Sequence, residues 1–410
     1  MEILLQNGRI FLESGVIERG YLLLRDGIII SVGPMDITPS LNPSSLNSSP
    51  RETIDLNGLI VLPGLIDIHT HGILNINILN CNEADIARML GELIKYGVTG
   101  FLPTTMAFPL DRIINQVKNI KRVKDTHPLG SMILGVHLEG PWLSIKKRGA
   151  HAEKHLLIPQ KKDIERVVEE IGDIVKTVTF SPEIENAPLL TEMLAQNGII
   201  PVIGHTAATY KETMAVIERG ARHVTHTFDA MHGFGEKGNE PGVMEPGVET
   251  AVLINDSVSI ELIGCPIHVP LPFFKLVDKI KPEDKKILIT DAGIGTGMPN
   301  GTIVEIEPGR KAYVDGGVLR LTGERDPKLN GGLAGSAVTM NVALKRLVTL
   351  ANIPLYKAIR WASSNPAILL GINNIMGSIR PGKKANITII NDNFKVKFTI
   401  LEGKIVYRGD

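Results

Sequence analysis

The fold is decided by one stretch, Leu62-Pro63-Gly64-Leu65-Ile66-Asp67-Ile68-His69-Thr70-His71-Gly72, in which an apolar strand ends on two histidines. Pro63-Gly64 breaks the chain before the strand, which we predict at Leu65–His69. Because side chains alternate along a strand, His69 and His71 point to the same face. Polar, chemically active side chains at the carboxyl ends of strands are typical of (β/α)8 barrels. The stretch therefore predicts the first strand of a barrel and one wall of its active site.

Beyond this strand the chain alternates short apolar runs with amphipathic helices, which is typical of βαβ units. Seven further strands are predicted at Val98–Thr104, Ile133–Leu138, Thr177–Ser181, Pro201–Gly204, His223–His226, Ser259–Gly264 and Lys286–Asp291. Helices are predicted at Glu83–Lys95, Asp111–Val123, Lys161–Ile171, Ala187–Gln196 and Lys211–Arg219. Eight strands with crossover helices fit a closed barrel better than an open sheet. We therefore predict an α/β fold with a (β/α)8 TIM-like barrel over residues 61–375.

Both ends of the chain are rich in short alternating strands separated by turn signals such as Asn7-Gly8 and Glu402-Gly403. The predicted strands are Ile3–Leu5, Tyr21–Leu24, Ile28–Ser31, Arg51–Asp55, Asn386–Ile390, Lys395–Leu401 and Lys404–Arg408. The stretch Thr38–Pro50, rich in Ser, Asn and Pro, predicts a surface loop. These patterns predict a small β-sandwich domain formed from residues 1–60 and 376–410.

Composition narrows the class of partner. Lys+Arg and Asp+Glu number 44 each in 410 residues, so no net field attracts nucleic acid or an anionic membrane. The amino-terminal residues lack the basic-then-apolar pattern of a signal peptide, and no apolar run approaches a membrane span. The two cysteines, Cys81 and Cys265, predict no disulfide framework. We expect a cytoplasmic protein that acts on a small molecule.

Residue types that bind divalent metals fall at the ends of five predicted strands. They are His69, His71, Glu139, His205, His226 and Asp291. Neutral imidazoles and carboxylates are the ligands that zinc and neighbouring transition metals prefer. A single histidine at a strand end is more often a hydrogen-bonded structural residue, but coincidence at five strand ends is improbable. The sequence predicts one or two divalent ions, with zinc as first choice and Fe, Mn, Co or Ni also compatible.

The motifs resemble those of the amidohydrolase superfamily, and within it the N-acetylglucosamine-6-phosphate deacetylase family. The resemblance covers nearly the whole chain in order, beginning with the 62–72 stretch. It is carried by Gly135–Trp142, Lys147–His151, Gly204–Thr206, Thr225-His226, Thr290–Ala292, Gly332–Ala337, Ala362–Ala367 and Gly377–Lys383. It implies metal-dependent hydrolysis of the N-acetyl amide of N-acetylglucosamine 6-phosphate, or of a close amino-sugar relative, and a homodimer.

The resemblance also implies a role for individual residues. Glu139, His205 and His226 would hold the main metal, and His69 and His71 a second one with Glu139 bridging. Asp291 would be a ligand and also the general base and acid, and His151 would polarise the substrate carbonyl. The substrate-binding residues would be His151, Asp229, Ala230, His268, Leu333 and Lys237. Leu333–Ser336 would lie over the sugar, although a tight helix start capped by Ser336 is an equal alternative.

This chain differs from the family pattern at the positions that bind the phosphate. Asp229 stands where the family has asparagine, and Cys265 replaces an aspartate before His268. The family's arginine position holds Met244 if Glu245-Pro246-Gly247 is the matching copy, as its spacing to His268 favours, or Asn239 if Glu240-Pro241-Gly242 is. Lys237 or His232 could reach a phosphate instead, although Lys237 also fits a solvated loop charge. A different substrate, such as a non-phosphorylated N-acyl compound or a cyclic amide, is therefore an alternative. A barrel that lost catalysis and became a scaffold is disfavoured, because all the candidate ligands are present.

Overall fold

The computed structural model describes residues 2–37, 52–233, 243–265 and 267–410. The predicted surface loop Thr38–Pro50 and the predicted substrate contact Lys237 lie outside these residues.

We number the strands of the described residues in chain order. The first eleven are β1 (Glu2–Leu12), β2 (Gly15–Arg25), β3 (Ile28–Pro34), β4 (Glu52–Asp55), β5 (Ile60–Pro63), β6 (Leu65–Thr70), β7 (Gly72–Ile73), β8 (Ile76–Asn77), β9 (Val98–Thr105), β10 (Val136–Glu139) and β11 (Val175–Phe180). The others are β12 (Ile200–Ile203), β13 (His223–Val224), β14 (Ser259–Ile263), β15 (Lys286–Ile289), β16 (Ile303–Glu307), β17 (Arg310–Asp315), β18 (Val318–Thr322), β19 (Leu333–Ser336), β20 (Ile387–Ile390), β21 (Val396–Leu401) and β22 (Lys404–Arg408).

The α-helices are α1 (Glu83–Leu93), α2 (Leu110–Thr126), α3 (Lys161–Ile171), α4 (Ala187–Gln196), α5 (Tyr210–Ile217), α6 (Val248–Ile254), α7 (Leu271–Ile280), α8 (Met340–Thr349), α9 (Leu355–Ile359) and α10 (Asn365–Leu369). Helix α5 shows how local sequence sets a boundary. The Thr209 side chain accepts a hydrogen bond from the Glu212 backbone, and Glu212 reaches back to the Thr209 backbone, a capping box. None of the described helices combines the length and apolar character that a membrane crossing requires.

Eight parallel strands form the predicted barrel. Their order is β15-β14-β13-β12-β11-β10-β9-β6, and a parallel bridge between Thr70 and Ala292 brings the first strand beside the end of the last. The strands are buried along almost their whole length, as expected for a parallel sheet covered by helices. The predicted (β/α)8 fold is confirmed, and every predicted barrel strand is present with ends shifted by a few residues.

The two chain termini form a second, separate sheet. Its order is β22-β21-β20-β5-β1-β2-β3, with β4 beside β1. Apolar side chains from both ends of the chain, such as Ile3, Leu22, Val61, Ile387 and Ile400, pack into one core. The prediction of a small β-domain built from both termini is therefore confirmed.

A four-stranded antiparallel sheet, β16-β17-β18-β19, follows the eighth barrel strand. Sequence analysis did not predict it. Turn signals at Gly309 and Gly316-Gly317 are present, and both turns have positive φ. Its apolar face carries a small core that includes Ile306, Val314 and Leu319. We call β16–β19 the small sheet.

Contacts divide the chain into two compact units. One comprises residues 1–67, 91–100 and 340–410, and the other residues 68–90 and 101–339. The second unit holds the ends of the barrel strands and the small sheet. The predicted domain boundaries near residues 60 and 376 stay a prediction.

Candidate metal centre

The six predicted metal ligands lie together at the carboxyl ends of the barrel strands. His69 and His71 stand at the end of β6, and Glu139 is the last residue of β10. His205, His226 and Asp291 each lie two residues beyond a strand, after β12, β13 and β15. All but His69 line one cavity at this end of the barrel.

The backbone is strained where the last three of these residues stand. The φ angles of His205, His226 and Asp291 are 48°, 23° and 50°, in the left-handed region that non-glycine residues rarely adopt. Backbone hydrogen bonds hold this conformation, such as that from Asp291 N to His69 O at 3.0 Å. Strain of this kind persists where the surrounding structure turns a side chain toward a functional site.

Glu139 lies at the centre of the group. Its Oε1 atom is 2.9 Å from His226 Nε2, 3.2 Å from His205 Nε2 and 3.4 Å from His69 Nε2. Its Oε2 atom is 3.3 Å from His71 Nε2. One carboxylate therefore touches all four imidazoles, as a residue that bridges two ligand sets would.

The imidazoles meet in two pairs on either side of this carboxylate. His69 Nε2 and His71 Nε2 are 3.2 Å apart, and Asp291 Oδ1 is 3.3 Å from His71 Nε2. On the other side, His205 Nε2 and His226 Nε2 are 3.1 Å apart. His69, His71 and Asp291 thus bring ligand atoms close enough to share one ion. His205 Nε2, His226 Nε2 and Glu139 Oε1 also lie within 3.2 Å of one another.

The outer nitrogens of three rings fix the tautomers. His69 Nδ1 donates to Glu261 Oε2 at 3.0 Å, His71 Nδ1 to Thr104 O at 3.2 Å and His205 Nδ1 to Lys147 O at 2.9 Å. In each neutral ring the proton is on Nδ1, so the Nε2 lone pair faces inward. Converging lone pairs repel one another unless a cation lies between them. These residues therefore fit one or two divalent metal ions.

Glu261 is a functional candidate that sequence analysis missed. This buried carboxylate on β14 accepts hydrogen bonds from His69 Nδ1, His223 Nε2, Thr225 Oγ1 and the His226 backbone, each at 3.0 Å. Burial alone would raise its pKa, but His69 and His223 outweigh burial and hold the pKa well below its ordinary value. A carboxylate inside the apolar strand Ser259–Ile263 was the signal that could have identified it.

Replacing Glu261 by glutamine should weaken metal binding by about 10–100-fold at the half of the site that holds His69, because outer carboxylates orient ligating histidines. Metal content after dialysis against a graded series of chelator concentrations measures the effect. Ser259→Ala is the control, since it removes the 2.8 Å contact between Ser259 and His223 at the far end of this network and the 3.2 Å hydrogen bond from Ser259 Oγ to Arg222 O, and leaves the contact between Glu261 and His69 in place. Unchanged metal affinity in the glutamine variant would show that Glu261 does not orient His69.

Charges on the two candidate carboxylates are stabilised by the histidines. Burial alone would raise the pKa of Glu139, but His69 and a hydrogen bond from His151 hold it well below its ordinary value. Burial also raises the pKa of Asp291, and contacts with His71 and His69 more than offset this and lower it. Both groups are therefore carboxylates at neutral pH, the form that binds metals and accepts protons.

His151 faces the same group from a loop after β10. Its Nδ1 accepts a hydrogen bond from Ala107 N at 3.1 Å, and its Nε2 is 3.2 Å from Glu139 Oε2. Burial lowers the pKa of His151 to about 4, so the ring is neutral at neutral pH. Because Nδ1 accepts, Nε2 carries the proton, and His151 presents an N–H donor to the cavity.

The predicted substrate contacts are only partly brought to the cavity. His151, Asp229 and Leu333 line it, together with Ala334 and Gly335. Ala230 and His268 are not among the described residues that line it. His268 is buried, and both its ring nitrogens lack a hydrogen-bond partner among the described residues. Met244 is 66% exposed.

The alternative that Ser336 caps a helix is wrong. Leu333–Ser336 is strand β19, and helix α8 begins only at Met340. The Ser336 hydroxyl donates to Thr290 O at 2.6 Å, beside the end of the last barrel strand. The segment is a strand because its backbone pairs with β18 of the small sheet.

A parallel barrel whose strand ends carry ligands that fit divalent metals is the architecture of metal-dependent hydrolases, and comparison with known proteins agrees. The chain belongs to the amidohydrolase family, whose model matches residues 60–406. The resemblance inferred from the motifs is thereby confirmed, and the protein is a hydrolytic enzyme.

Relatives of the chain share one kind of activity by name. N-acetylglucosamine-6-phosphate deacetylase of Haemophilus influenzae is 30% identical, over 95% of this chain and 97% of its own. N-acetylgalactosamine-6-phosphate deacetylase of Escherichia coli O157:H7 is 27% identical over 99% of both chains.

Two solved structures match over nearly their whole length. The N-acetylglucosamine-6-phosphate deacetylase of Pasteurella multocida superimposes with a TM-score of 0.88 at 26% identity, with 100% of both chains covered. A mutant of the Mycobacterium smegmatis enzyme, in complex with N-acetyl-D-glucosamine-6-phosphate, gives a TM-score of 0.85 at 26% identity, with 99% of both chains covered.

Proposed function

We propose that this enzyme hydrolyses the N-acetyl amide of N-acetylglucosamine 6-phosphate, or of a close amino-sugar relative, to acetate and the free amine. The observation that carries the proposal is the convergence of four imidazoles and two carboxylates at the carboxyl ends of the barrel strands, where all but His69 line one cavity. The names of the full-length relatives support the substrate class. An amide in such a site is cleaved by water, and different side chains hold the metal, transfer the proton and stabilise the carbonyl oxygen.

Glu139, His205 and His226 would hold one divalent ion, and His69, His71 and Asp291 a second one with Glu139 shared. When bound, such an ion acidifies a water molecule, supplies hydroxide at neutral pH and polarises the amide carbonyl. Zinc suits this mixture of nitrogen and oxygen ligands, and Fe, Mn, Co and Ni are compatible. We propose zinc as the native metal, and elemental analysis of the purified enzyme tests it.

Asp291 would carry the proton. Its carboxylate is ionised, so it can accept a proton from the attacking water. It then returns that proton to the amine nitrogen, because an amine cannot leave as an anion. The same residue thus serves first as base and then as acid.

His151 would stabilise the oxygen of the amide carbonyl. Its ring is neutral and presents Nε2–H to the cavity, as the Ala107 contact requires. A donor aimed at the position where negative charge develops stabilises the transition state more than the ground state. We therefore assign His151 the role of an oxyanion donor.

A second candidate substrate is an N-acyl amino sugar without phosphate. None of the described residues lining the cavity is lysine or arginine, whereas Asp229 places a carboxylate there. A phosphate monoester carries nearly two negative charges at neutral pH, and a nearby carboxylate repels it. A free hydroxyl, in contrast, can donate a hydrogen bond to Asp229.

A panel of free and 6-phosphorylated N-acetylglucosamine and N-acetylgalactosamine, scored for acetate release, tests both candidates. We expect Asp229→Asn to raise kcat/KM for phosphorylated relative to free sugars by about tenfold, which equals about 1.4 kcal/mol. Asp256→Asn, on the loop before β14, is the charge-matched control. If no amino sugar is cleaved while another amide is, the proposed function is wrong.

We further propose that the enzyme acts as a homodimer in the cytoplasm. Family resemblance supports the dimer, and light scattering of the purified protein tests it. A phosphorylated substrate supports the location, because a charged sugar phosphate does not cross a membrane unaided.

A further inference from the structure

One loop touches two groups of the candidate site. We call residues 144–155 the His151 loop, after the residue that it carries. The carbonyl of Lys147 accepts the hydrogen bond from His205 Nδ1 at 2.9 Å. Gly149, with φ 53°, lies against the same ring, and a Cβ there would be 3.0 Å from His205 Cε1. Movement of this loop would therefore displace both His151 and His205.

The His151 loop contains two short turns of 3-10 helix, Ile145–Lys147 and Glu153–His155. Contacts on the barrel side hold it at Ser144, whose backbone N donates to Ser181 Oγ at 2.7 Å, and at Lys147 and His151. The small sheet holds it at Ala150 and at the Lys154–His155 end. Arg310 Nη1 donates to Ala150 O at 2.7 Å, directly before His151. Glu307 Oε1 pairs with Lys154 Nζ at 2.8 Å and with His155 Nε2 at 3.1 Å.

Glu307 and Arg310, which make these contacts, form with Glu324 a cluster of shielded charges that we call the clamp. Their side chains are only 9%, 14% and 11% exposed. The Arg310 guanidinium is 2.9 Å from Glu324 Oε1 and 3.5 Å from Glu307 Oε2. Charges shielded from water in this way are stable only in a well-defined geometry, and loss of one partner leaves the others uncompensated.

The planar guanidinium matters for this geometry. Its Nε and Nη2 atoms face Glu324 while Nη1 faces Ala150 O, so one rigid group on β17 joins the segment after β18 to the His151 loop. A lysine has a single ammonium on a flexible stem and cannot hold both directions at once.

The small sheet also forms part of the cavity wall, through Ile306, Leu319 and Leu333. The clamp therefore links the wall that contacts the substrate to the loop that carries the oxyanion donor. A rigid link between these parts keeps the distance between bound substrate and His151 constant.

We propose that Arg310 is a positioning residue for amide hydrolysis: through Ala150 O and Glu324 it fixes the His151 loop, and thereby the positions of His151 and His205. The kinetic test of this inference rests on the proposed function. The hydrogen–deuterium exchange test does not, because it needs no substrate.

The first test is the kinetics of Arg310→Met on whichever substrate the wild-type enzyme cleaves. A misplacement of about 1 Å costs on the order of 100-fold in rate, so we expect kcat to fall about 10–100-fold. KM should change less than about threefold, because a donor to the developing oxyanion acts in the transition state. Arg310→Lys should restore part of kcat.

The matched control is Arg320→Met on β18 of the same sheet. Arg320 also pairs with a carboxylate, Asp315, at 2.7 Å and donates to the carbonyl of Gly331 at 2.9 Å, but neither partner belongs to the His151 loop. We expect wild-type kcat for this variant. An equal loss in the two variants would show that the sheet acts only through general stability.

The second test is hydrogen–deuterium exchange. Amides of residues 144–155 should exchange faster in Arg310→Met than in the wild type, while those of barrel strands β11 and β12 stay unchanged. Unchanged hydrogen–deuterium exchange in the loop overturns the inference, whatever the activity of the variant.

If Arg310→Met does not fold, Glu324→Gln and Arg310→Lys replace it in both tests, because each keeps nearly the native side-chain volume. A wild type that cleaves no amino sugar would refute the proposed function and leave the exchange result valid.

Discussion

Replacing Asp291 by asparagine is expected to lower kcat by about 10²–10⁴-fold, the usual effect of removing a general acid–base group. The amide side chain keeps the size of the carboxylate and one oxygen beside His71 and His69, which lie 3.3 Å and 3.5 Å from Asp291 Oδ1. It cannot, however, accept a proton at neutral pH. Steady-state kinetics on the cleaved amino sugar measure the loss.

Two measurements separate proton transfer from metal loss in this variant. Metal content should stay at half the wild-type value or more, because the other candidate ligands remain. Asp315→Asn, on β17 with its carboxylate paired to Arg320, is the control and should keep wild-type kcat. An Asp291→Asn enzyme with full metal content and a kcat within tenfold of wild type would contradict the assignment of Asp291 as base and acid.

The candidate ligands could be predicted from sequence because the geometry of a barrel determines where the residues at its strand ends lie. Every parallel strand of a barrel ends on the same face, so a histidine or carboxylate just beyond a strand must point near the others. Only the strand ends had to be found, and an error of a residue or two did not matter. His205, for example, follows a strand that was predicted one residue too far along the chain.

Glu261 could not be predicted in the same way. Its role depends on which side chains face it from β6 and β13, and that depends on the register of strands far apart in sequence. His69 and Glu261 are separated by 192 residues. A carboxylate in an apolar strand indicates a buried partner but does not identify it.

The contacts of the clamp could be predicted from sequence even less than those of Glu261. Arg310 and Ala150 are 160 residues apart, and their contact depends on a sheet that follows the eighth barrel strand. Gly309 and Gly316-Gly317 did mark its hairpin turns. What sequence lacked was the position of these hairpins over the barrel mouth, which is a matter of tertiary packing. Substrate recognition is hardest for the same reason, since Asp229 and Leu333 come from separate segments.

Replacing Glu139 by alanine should have the largest effect on the metal centre. The Glu139 carboxylate contacts all four candidate imidazole ligands, so its removal affects both halves of the site. Loss of an outer-shell partner costs about 10–100-fold in metal affinity, and loss of this central residue should exceed about 100-fold. A metal ion contributes several kcal/mol to such reactions, so activity should fall on the order of 10³-fold or more.

Metal removal from the wild-type enzyme should reproduce this result. Chelation should abolish hydrolysis and lower Tm by roughly 5–15 °C, because a ligand that binds only the folded state stabilises it. In Glu139→Ala, chelation should leave Tm unchanged, since little metal is bound.

Glu192→Gln, on α4 where it pairs with Arg219, is the control and should respond to chelation as the wild type does. Restoration of activity by added zinc in the wild type, but not in Glu139→Ala, would assign the lost activity to the metal centre. If Glu139→Ala keeps its metal and most of its activity, the carboxylate does not bridge the two ligand sets and the proposed centre is wrong.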